Sequence, residues 1–538
     1  MAEINVTDLT FAYEGSFDNI FENVSFVLDT DWKLGFIGRN GKGKTTFLRL
    51  LMGDYEFTGS IRTNARFDFF PYPLREADLE KSADEMIEYW KPDAEPWRVL
   101  AELPGLSLDA EVLYRPLRTL SFGERTKVML AVLFSGEGDF LLIDEPTNHL
   151  DAEAREIVKK YLASKKGYIL VSHDRDLLDA CTDHILVLNR ATIEVQAGNF
   201  SSWWENKERA DSFAIAENEK HKKEIKKLSA AADRVSRWAE KSEASKIGFD
   251  PIKENDRSIS TRSFIGAKTK KMQARVKAVE GRIDREIEQQ EGLLQDIERV
   301  PDLKLMPLSY HKNRIIEAKN FSLRYPDSTD RVIRNLTFEL NQGECVFLRG
   351  ANGCGKSSLI KAVLGKLQPG KPANAEVSTK HNQIMDQDRS EKEPENPITA
   401  PDGSTILTSG TLNVPSGLII SYVNQDASHL SGSLREHAER NQLNYSLLLT
   451  LLRKLDLERL QFDKDLSEYS EGQKKKVLIA SSLITPAHLY IWDEPLNYID
   501  VFSRMQIERL IEVFRPTMLL VEHDVRFTEK LASRVVDL

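Results

Sequence analysis

Apolar and polar positions alternate near the start of the chain, with Ile4 and Val6, then Val24, Phe26 and Leu28, set among polar neighbours. That period of two predicts half-buried strands. Unbroken apolar runs follow at 34–37, 140–143 and 168–171, and each reads as a buried strand feeding a loop. Between about Trp204 and Pro301 the period changes. Ile225, Leu228, Ala232, Val235 and Ala239 form one stripe at heptad spacing, and Met272, Val276, Val279 and Ile283 form another. Gly248, Pro251 and Gly266 interrupt the pattern between them, so two helical arms are expected to pack as an antiparallel hairpin. After Pro301 the strand and loop pattern of the first part returns.

Length and charge sharpen this picture. A chain of 538 residues is too long for one core. The expected division is a first α/β domain over 1–204, a helical linker over 205–301 and a second α/β domain over 302–538. Cys181, Cys345 and Cys354 lack metal-ligand spacing and fit a reducing cytoplasm better than a disulfide scaffold. No run approaches the roughly 18 apolar residues of a membrane span. The net charge of −10 is unevenly spread. Residues 220–277 carry 17 Lys or Arg against 7 Asp or Glu, a balance of +10, which leaves −20 on the rest. A basic finger, with its tip at about 242–268, on an acidic body favours an anionic target such as RNA over a merely solvated helix face.

The chemistry is concentrated in short motifs. Gly38, Arg39, Asn40, Gly41, Lys42, Gly43, Lys44, Thr45 and Thr46 lie between a strand and a helix in the pattern of a phosphate loop. Its backbone N–H groups would close around phosphates, Lys44 would add a point charge, and Thr45 would offer a hydroxyl to Mg²⁺. Ser121, Gly123 and Glu124 then open a helical run, and an apolar strand ends in Asp144 and Glu145. Adjacent acids point differently, so Asp144 can serve Mg²⁺ while Glu145 polarises the attacking water. A further strand delivers His173 within reach of a γ-phosphate.

The same order recurs. Tyr325 precedes Gly350, Ala351, Asn352, Gly353, Cys354, Gly355, Lys356, Ser357 and Ser358; then come Gln425, the trio Ser470, Gly472 and Gln473, the pair Asp493 and Glu494, and His523. Lys356 lies 312 residues after Lys44, whereas Ser470, Asp493 and His523 lie 349, 349 and 350 after Ser121, Asp144 and His173. A near-constant offset means duplicated domains. The jump locates an insertion, read as a polar surface loop over about 369–415.

Each half resembles the nucleotide-binding domain of the ABC ATPases. The resemblance implies that Tyr13 stacks on adenine, with Tyr325 in the same place in the second half. It also implies that the Ser121 and Ser470 segments are signature motifs gripping nucleotide on the opposite half, that Asp151 and Asp500 are D-loop aspartates, and that His173 and His523 are switch histidines. Gln425 occupies the position that senses Mg²⁺, with Ser357 and Asp493 as its fellow ligands, whereas the first half has Tyr72 there. Glu471 and the segment from Leu496 to Asp500 also depart from the family pattern.

Two ABC domains around a helical hairpin look like the ABC-F family, and the linker segment from Ser263 resembles its Lsa-type antibiotic-resistance branch. That implies a cytoplasmic ATPase, a monomer whose two domains pair intramolecularly. It would bind ATP and Mg²⁺, enter the exit site of the 70S ribosome, touch ribosomal RNA and peptidyl-site tRNA, and free the peptidyl-transferase centre of lincosamides, pleuromutilins or streptogramin A. A translation factor without resistance, or the ATPase subunit of a transporter, are the other readings.

Overall fold

In the computed structural model, the residues described are 3–14, 19–148, 150–189, 192–244, 277–279, 282–283, 304–367 and 396–538. They form two units, one made of 1–201 with 300–538 and the other of 202–299. The expected tip of the finger (242–268) lies almost wholly outside the described residues, as does the second arm apart from 277–279 and 282–283.

The first half of the larger unit holds a six-stranded sheet in the order Arg66–Phe70, Asp139–Asp144, Tyr168–Val171, Lys33–Gly38, His184–Leu188, Ile193–Ala197. The first five strands run parallel. Central strands of such a sheet are covered on both faces, which is why 34–37 and 140–143 read as continuous apolar runs. Leu34, Phe36, Leu142 and Ile169 are fully buried. A small antiparallel sheet, Phe21–Asp29, Glu3–Phe11 and Thr58–Arg62, lies beside it in sequence, and its alternation buries Ile4 and Val6 while exposing Glu3 and Asn5.

The second half repeats the plan. Its parallel sheet runs Ile420–Val423, Leu489–Asp493, Met518–Val521, Cys345–Arg349, Arg534–Asp537. Its antiparallel sheet has four strands, Ile333–Asn341, Arg314–Arg324, Thr405–Asn413 and Asn396–Thr399. The last two correct the expectation of a surface loop over 369–415. Residues 368–395 lie outside the described residues, but 396–413 form an ordered hairpin. Ile398 pairs with Ile406 and both are buried, as is Leu412. Pro, Gly, Ser and Asn along this stretch hid the pattern, Gly410 among them. That glycine permits close backbone approach, since a Cβ there would stand 2.1 Å from the Asn320 carbonyl oxygen.

Charged contacts join the halves. Arg175 Nη2 lies 2.7 Å from Glu508 Oε2, with both side chains nearly inaccessible. Arg526 pairs with Asp176, and with Asp179 at 2.5 Å. Arg39 meets Asp456 at 3.0 Å and Lys42 meets Glu458 at 2.7 Å.

In the smaller unit the helix Phe200–Ala244 supplies the first arm. Ile225, Leu228 and Ala232 of the expected stripe are half-buried, as is Ala231, while the side chains of Val235 and Ala239 lie outside the described residues. On the other arm Ile283 is buried, whereas Val279 is 44% exposed.

Reversing Arg175 to Glu should place two buried carboxylates together and cost roughly 3–5 kcal/mol, the scale of a broken buried pair. Urea unfolding of the single variant and of the Arg175→Glu, Glu508→Arg double variant should show recovery in the double; equal destabilisation of both would contradict this reading of the contact.

Candidate functional site

Two cavities lie between the halves. The first, of about 830 Å³, is lined by Asn40, Gly41, Gly43, Lys44, Thr45 and Thr46 of the first loop together with Ser470, Glu471 and Gly472 of the other half. Tyr13, Asp144, Glu145 and His173 complete it. The second, of about 540 Å³, is lined by Asn352, Gly353, Gly355, Lys356, Ser357 and Ser358, with Gln425, Glu494 and His523. From the first half come Phe122, Leu150 and Arg155. Each loop therefore faces residues of the opposite half: Ser470 and Gly472 of one signature line the first cavity, whereas Ser121 and Gly123 of the other are not among the residues lining the second, where Phe122 stands between them in sequence.

The loops are built to hold an anion. Gly41 and Gly353 adopt φ of +77° and +83° with open space where a Cβ would be, which turns successive N–H groups toward one point. Lys44 Nζ donates to the carbonyl oxygens of Gly38 (2.8 Å) and Arg39 (3.1 Å), and Lys356 Nζ does the same to Gly350 (2.8 Å) and Ala351 (2.9 Å). Burial pushes the Lys44 ammonium below its usual range, the condition an incoming phosphate would relieve. Thr45 Oγ1 donates to Asp144 Oδ2 at 2.7 Å. Hydroxyl and carboxylate thus converge as Mg²⁺ ligands would, and in the second half Asp493 keeps Oδ1 buried without a hydrogen-bond partner. Burial raises that carboxyl to about 6. This donor set fits the ion.

The acids after these aspartates do point elsewhere. Glu145 and Glu494 occupy the left-handed region, with φ of 50° and 47°, a strained conformation for a side chain and one that concentrates at functional sites. Their environments differ. Glu494 Oε2 accepts from Gln425 Nε2 at 2.8 Å and from Asn497 Nδ2 at 2.7 Å. Burial favours its neutral form, but His523 and Gln425 outweigh that and hold it at about 2. Glu145 Oε1 is buried with no hydrogen bond. Burial, reinforced by Asp144, raises it to about 8. The amide donor of the second half has no counterpart here: Tyr72 stands where the second half has Gln425, and its hydroxyl donates to Asp68 Oδ2 at 2.7 Å while its ring stacks on Trp90.

Burial, and then Lys44, pushes the His173 imidazole well below its usual range. Its Nε2 donates to Asn40 Oδ1 at 2.9 Å, and Asn40 Nδ2 donates across the interface to the Tyr498 carbonyl oxygen at 2.6 Å. The D-loop acids divide. Asp151 Oδ2 accepts from Asn352 N of the other half at 3.5 Å, whereas buried Asp500 is held below its usual range because Lys476, 2.9 Å away, overcomes the effect of burial.

Other expected residues take supporting positions. Ser121 and Ser470 cap helices, and Glu124 and Gln473 close the capping boxes by accepting from the serine N–H groups at 2.7 and 3.1 Å. Arg39 and Lys42 face the second half rather than the cavity. Tyr325 bonds Ser358 at 2.8 Å, as Tyr13 bonds Thr46 at 2.7 Å, but only Tyr13 lines its cavity. Sequence reasoning passed over Asn497 and Lys476, although the repeat offset of 349 pairs them with Asn148 and Lys127.

The family model described as ABC transporter matches the chain twice, over residues 21–148 and 333–497. The chain belongs to the ABC transporter family. It is an ATPase, and its two cavities are the candidate ATP sites. Among similar proteins is the ribosome protection protein VmlR of Bacillus subtilis strain 168, 26% identical over 99% of this chain and 86% of the relative. Another is the energy-dependent translational throttle protein EttA of Haemophilus influenzae, 26% identical over 96% and 89%. These whole-length relatives agree with the ABC-F resemblance. An archaeal ribosome recycling factor, aABCE1, solved with the stalk protein aP1, shares the fold at a TM-score of 0.57 and 18% identity, over 98% of this chain and 87% of that one.

Replacing Glu494 by Gln should leave ATP binding intact and remove roughly 10²–10⁴-fold of turnover at its site, the range for a lost general base. Because amide donors orient Glu494 and none orients Glu145, Glu494→Gln should depress steady-state turnover more than Glu145→Gln does; the reverse order in a phosphate-release assay would overturn the inequality drawn between the sites.

Proposed function

We propose that this protein is a cytoplasmic ATPase that acts on the 70S ribosome, closes its two ABC domains around ATP and Mg²⁺, and protects the peptidyl-transferase centre from antibiotics. The observation that carries the reading is the combination of two cavities, each lined by a phosphate loop and by residues of the opposite half, with similarity, over 96–99% of the chain, to proteins named for ribosome protection and translational throttling. No helix among the described residues is long and apolar enough to cross a membrane. A basic finger suits ribosomal RNA and the peptidyl-site tRNA by Coulombic attraction and counterion release.

In each site the loop N–H groups and the lysine would hold the β- and γ-phosphates. Thr45 with Asp144, and Ser357 with Asp493 and Gln425, would hold Mg²⁺, which offsets phosphate charge when bound. Glu145 and Glu494 would orient the attacking water, and His173 and His523 would contact the γ-phosphate. Ser470 and Gly472 on one side, and Ser121 and Gly123 on the other, would complete closure. ATP would favour the closed, ribosome-bound state, and hydrolysis would release the protein. The load would be borne by the linker: a helix of 45 residues spans about 68 Å at 1.5 Å per residue. Lincosamides, pleuromutilins and streptogramin A are the drugs this branch implies. Similarity to EttA also favours a second reading, a translation factor without resistance.

The Glu145→Gln, Glu494→Gln double variant should co-sediment with purified 70S ribosomes in ATP but not in ADP at fixed salt; equal recovery in both nucleotides, or none in either, would remove the ribosome as its load. Deleting 242–268 should leave ATPase activity nearly intact and abolish drug protection in a sensitive host. Unchanged susceptibility on expressing the wild-type protein would favour the translation-factor reading.

A further inference from the structure

Each half carries an arginine four residues beyond its D-loop aspartate, Arg155 after Asp151 and Arg504 after Asp500. Both aspartates cap their helices, Ala152–Ser164 and Val501–Phe514, so each arginine lies one turn on and shares the face of its cap. Both are anchored alike. Arg155 Nε donates to the Leu150 carbonyl oxygen at 2.9 Å, and Arg504 Nε to that of Ile499 at 2.9 Å. Each also approaches the aspartate that follows its switch histidine: Arg155 lies 3.9 Å from Asp174, and Arg504 lies 3.5 Å from Asp524.

The resemblance ends at the cavities. Arg504 makes a further bond to the Leu496 carbonyl oxygen at 2.9 Å and is not among the residues lining the first cavity. Its guanidinium is engaged by its own half. Arg155, which belongs to the first half, lines the second cavity beside Lys356, Ser357, Glu494 and His523. Its D-loop already touches that loop, through Asp151 and the N–H of Asn352. With a single short hydrogen bond at Nε and a carboxylate 3.9 Å from Nη1, the outer end of its guanidinium can turn toward the cavity without breaking its anchor.

We propose that Arg155 is a cationic residue donated in trans to the second ATP site, where it stabilises charge on the phosphoryl group in transit. The inference rests on the reading of that cavity as an ATP site. In the reaction the water oxygen bonds to the γ-phosphorus as the bond to the β,γ-bridging oxygen breaks. The water proton passes to Glu494, and ADP and inorganic phosphate result. Negative charge spreads over the equatorial and leaving oxygens, and a guanidinium fixed there acts where water is excluded. Only closure of the halves brings Arg155 to this position, so hydrolysis at the second site would be conditional on closure. At the first site Arg504 acts on Glu145 and His173 through its charge alone, its guanidinium held by carbonyl oxygens of its own half.

The test uses the full chain in a Glu145→Gln background, which leaves Glu494 as the water-activating carboxylate. Arg155→Gln should slow single-turnover hydrolysis roughly 10²–10³-fold, the cost of one lost transition-state donor, while the affinity for a fluorescent ATP analogue stays within about threefold. Trapping of ADP with orthovanadate should be lost in Arg155→Gln and kept in Arg155→Lys, which retains the charge. Should the glutamine protein fail to fold, Arg155→Met, which keeps the packed stem, is read in the same way. Hydrolysis within twofold of the parent would overturn the proposal, and so would a lysine variant as slow as the glutamine one, since that points to anchoring of the D-loop alone. Turnover in this background that survives Glu494→Gln would instead overturn the reading of the second cavity, whatever Arg155→Gln does.

Discussion

A phosphate loop can surround only one side of an anion. In this protein the side left open by each loop is met by the other half: Ser470, Glu471 and Gly472 face the first loop, and Phe122, Leu150 and Arg155 face the second. The remaining architecture follows from that constraint. Two copies of one domain are needed in opposed orientation, and the contacts between them must form without sealing the sites permanently. Polar and ionic contacts do this. Asn40 to Tyr498, Asp151 to Asn352 and Arg175 to Glu508 are directional, and their strength depends on alignment rather than on area buried.

The duplication has left the sites unequal. At the second, His523 and Gln425 outweigh burial to keep Glu494 ionised, and Gln425 and Asn497 supply the amide donors that aim it. At the first, Tyr72 is drawn away to Asp68 and Trp90, and Glu145 sits in a drier, donor-poor environment that favours its neutral form. An unpaired buried carboxyl is costly to ionise, so the two glutamates, alike in sequence and backbone conformation, differ in their readiness to accept a proton.

Much of this was legible in the order of residues. The phosphate loops, the Asp-Glu pairs and the repeat are local patterns, and backbone geometry alone decides what they become. The departure at Tyr72 was legible too, though its effect on Glu145 was not, because that depends on where Asp68 and Trp90 lie in space. The hairpin of 396–413 was missed because half of its residues are polar and the burial of Ile398, Ile406 and Leu412 is set by partners far away in sequence. Lys475 and Lys476 lie within a run of three lysines, whose charge alone gives no sign of burial. Both are 2% exposed, one bound to the Asn424 carbonyl oxygen and the other to Asp500.

Ion pairs between the halves run in both senses, since Arg39, Lys42 and Arg175 of the first half meet Asp456, Glu458 and Glu508 of the second, but the contact at Arg526 is complementary only between unlike halves. The first half presents Asp176 and Asp179 where the second presents Arg526. Two first halves meeting in the same orientation would oppose carboxylate to carboxylate, and two second halves guanidinium to guanidinium. Because both halves are carried on one polypeptide, each meets its correct mate at an effective concentration on the order of millimolar. At such a concentration a contact surface of only modest affinity is sufficient for the halves to pair.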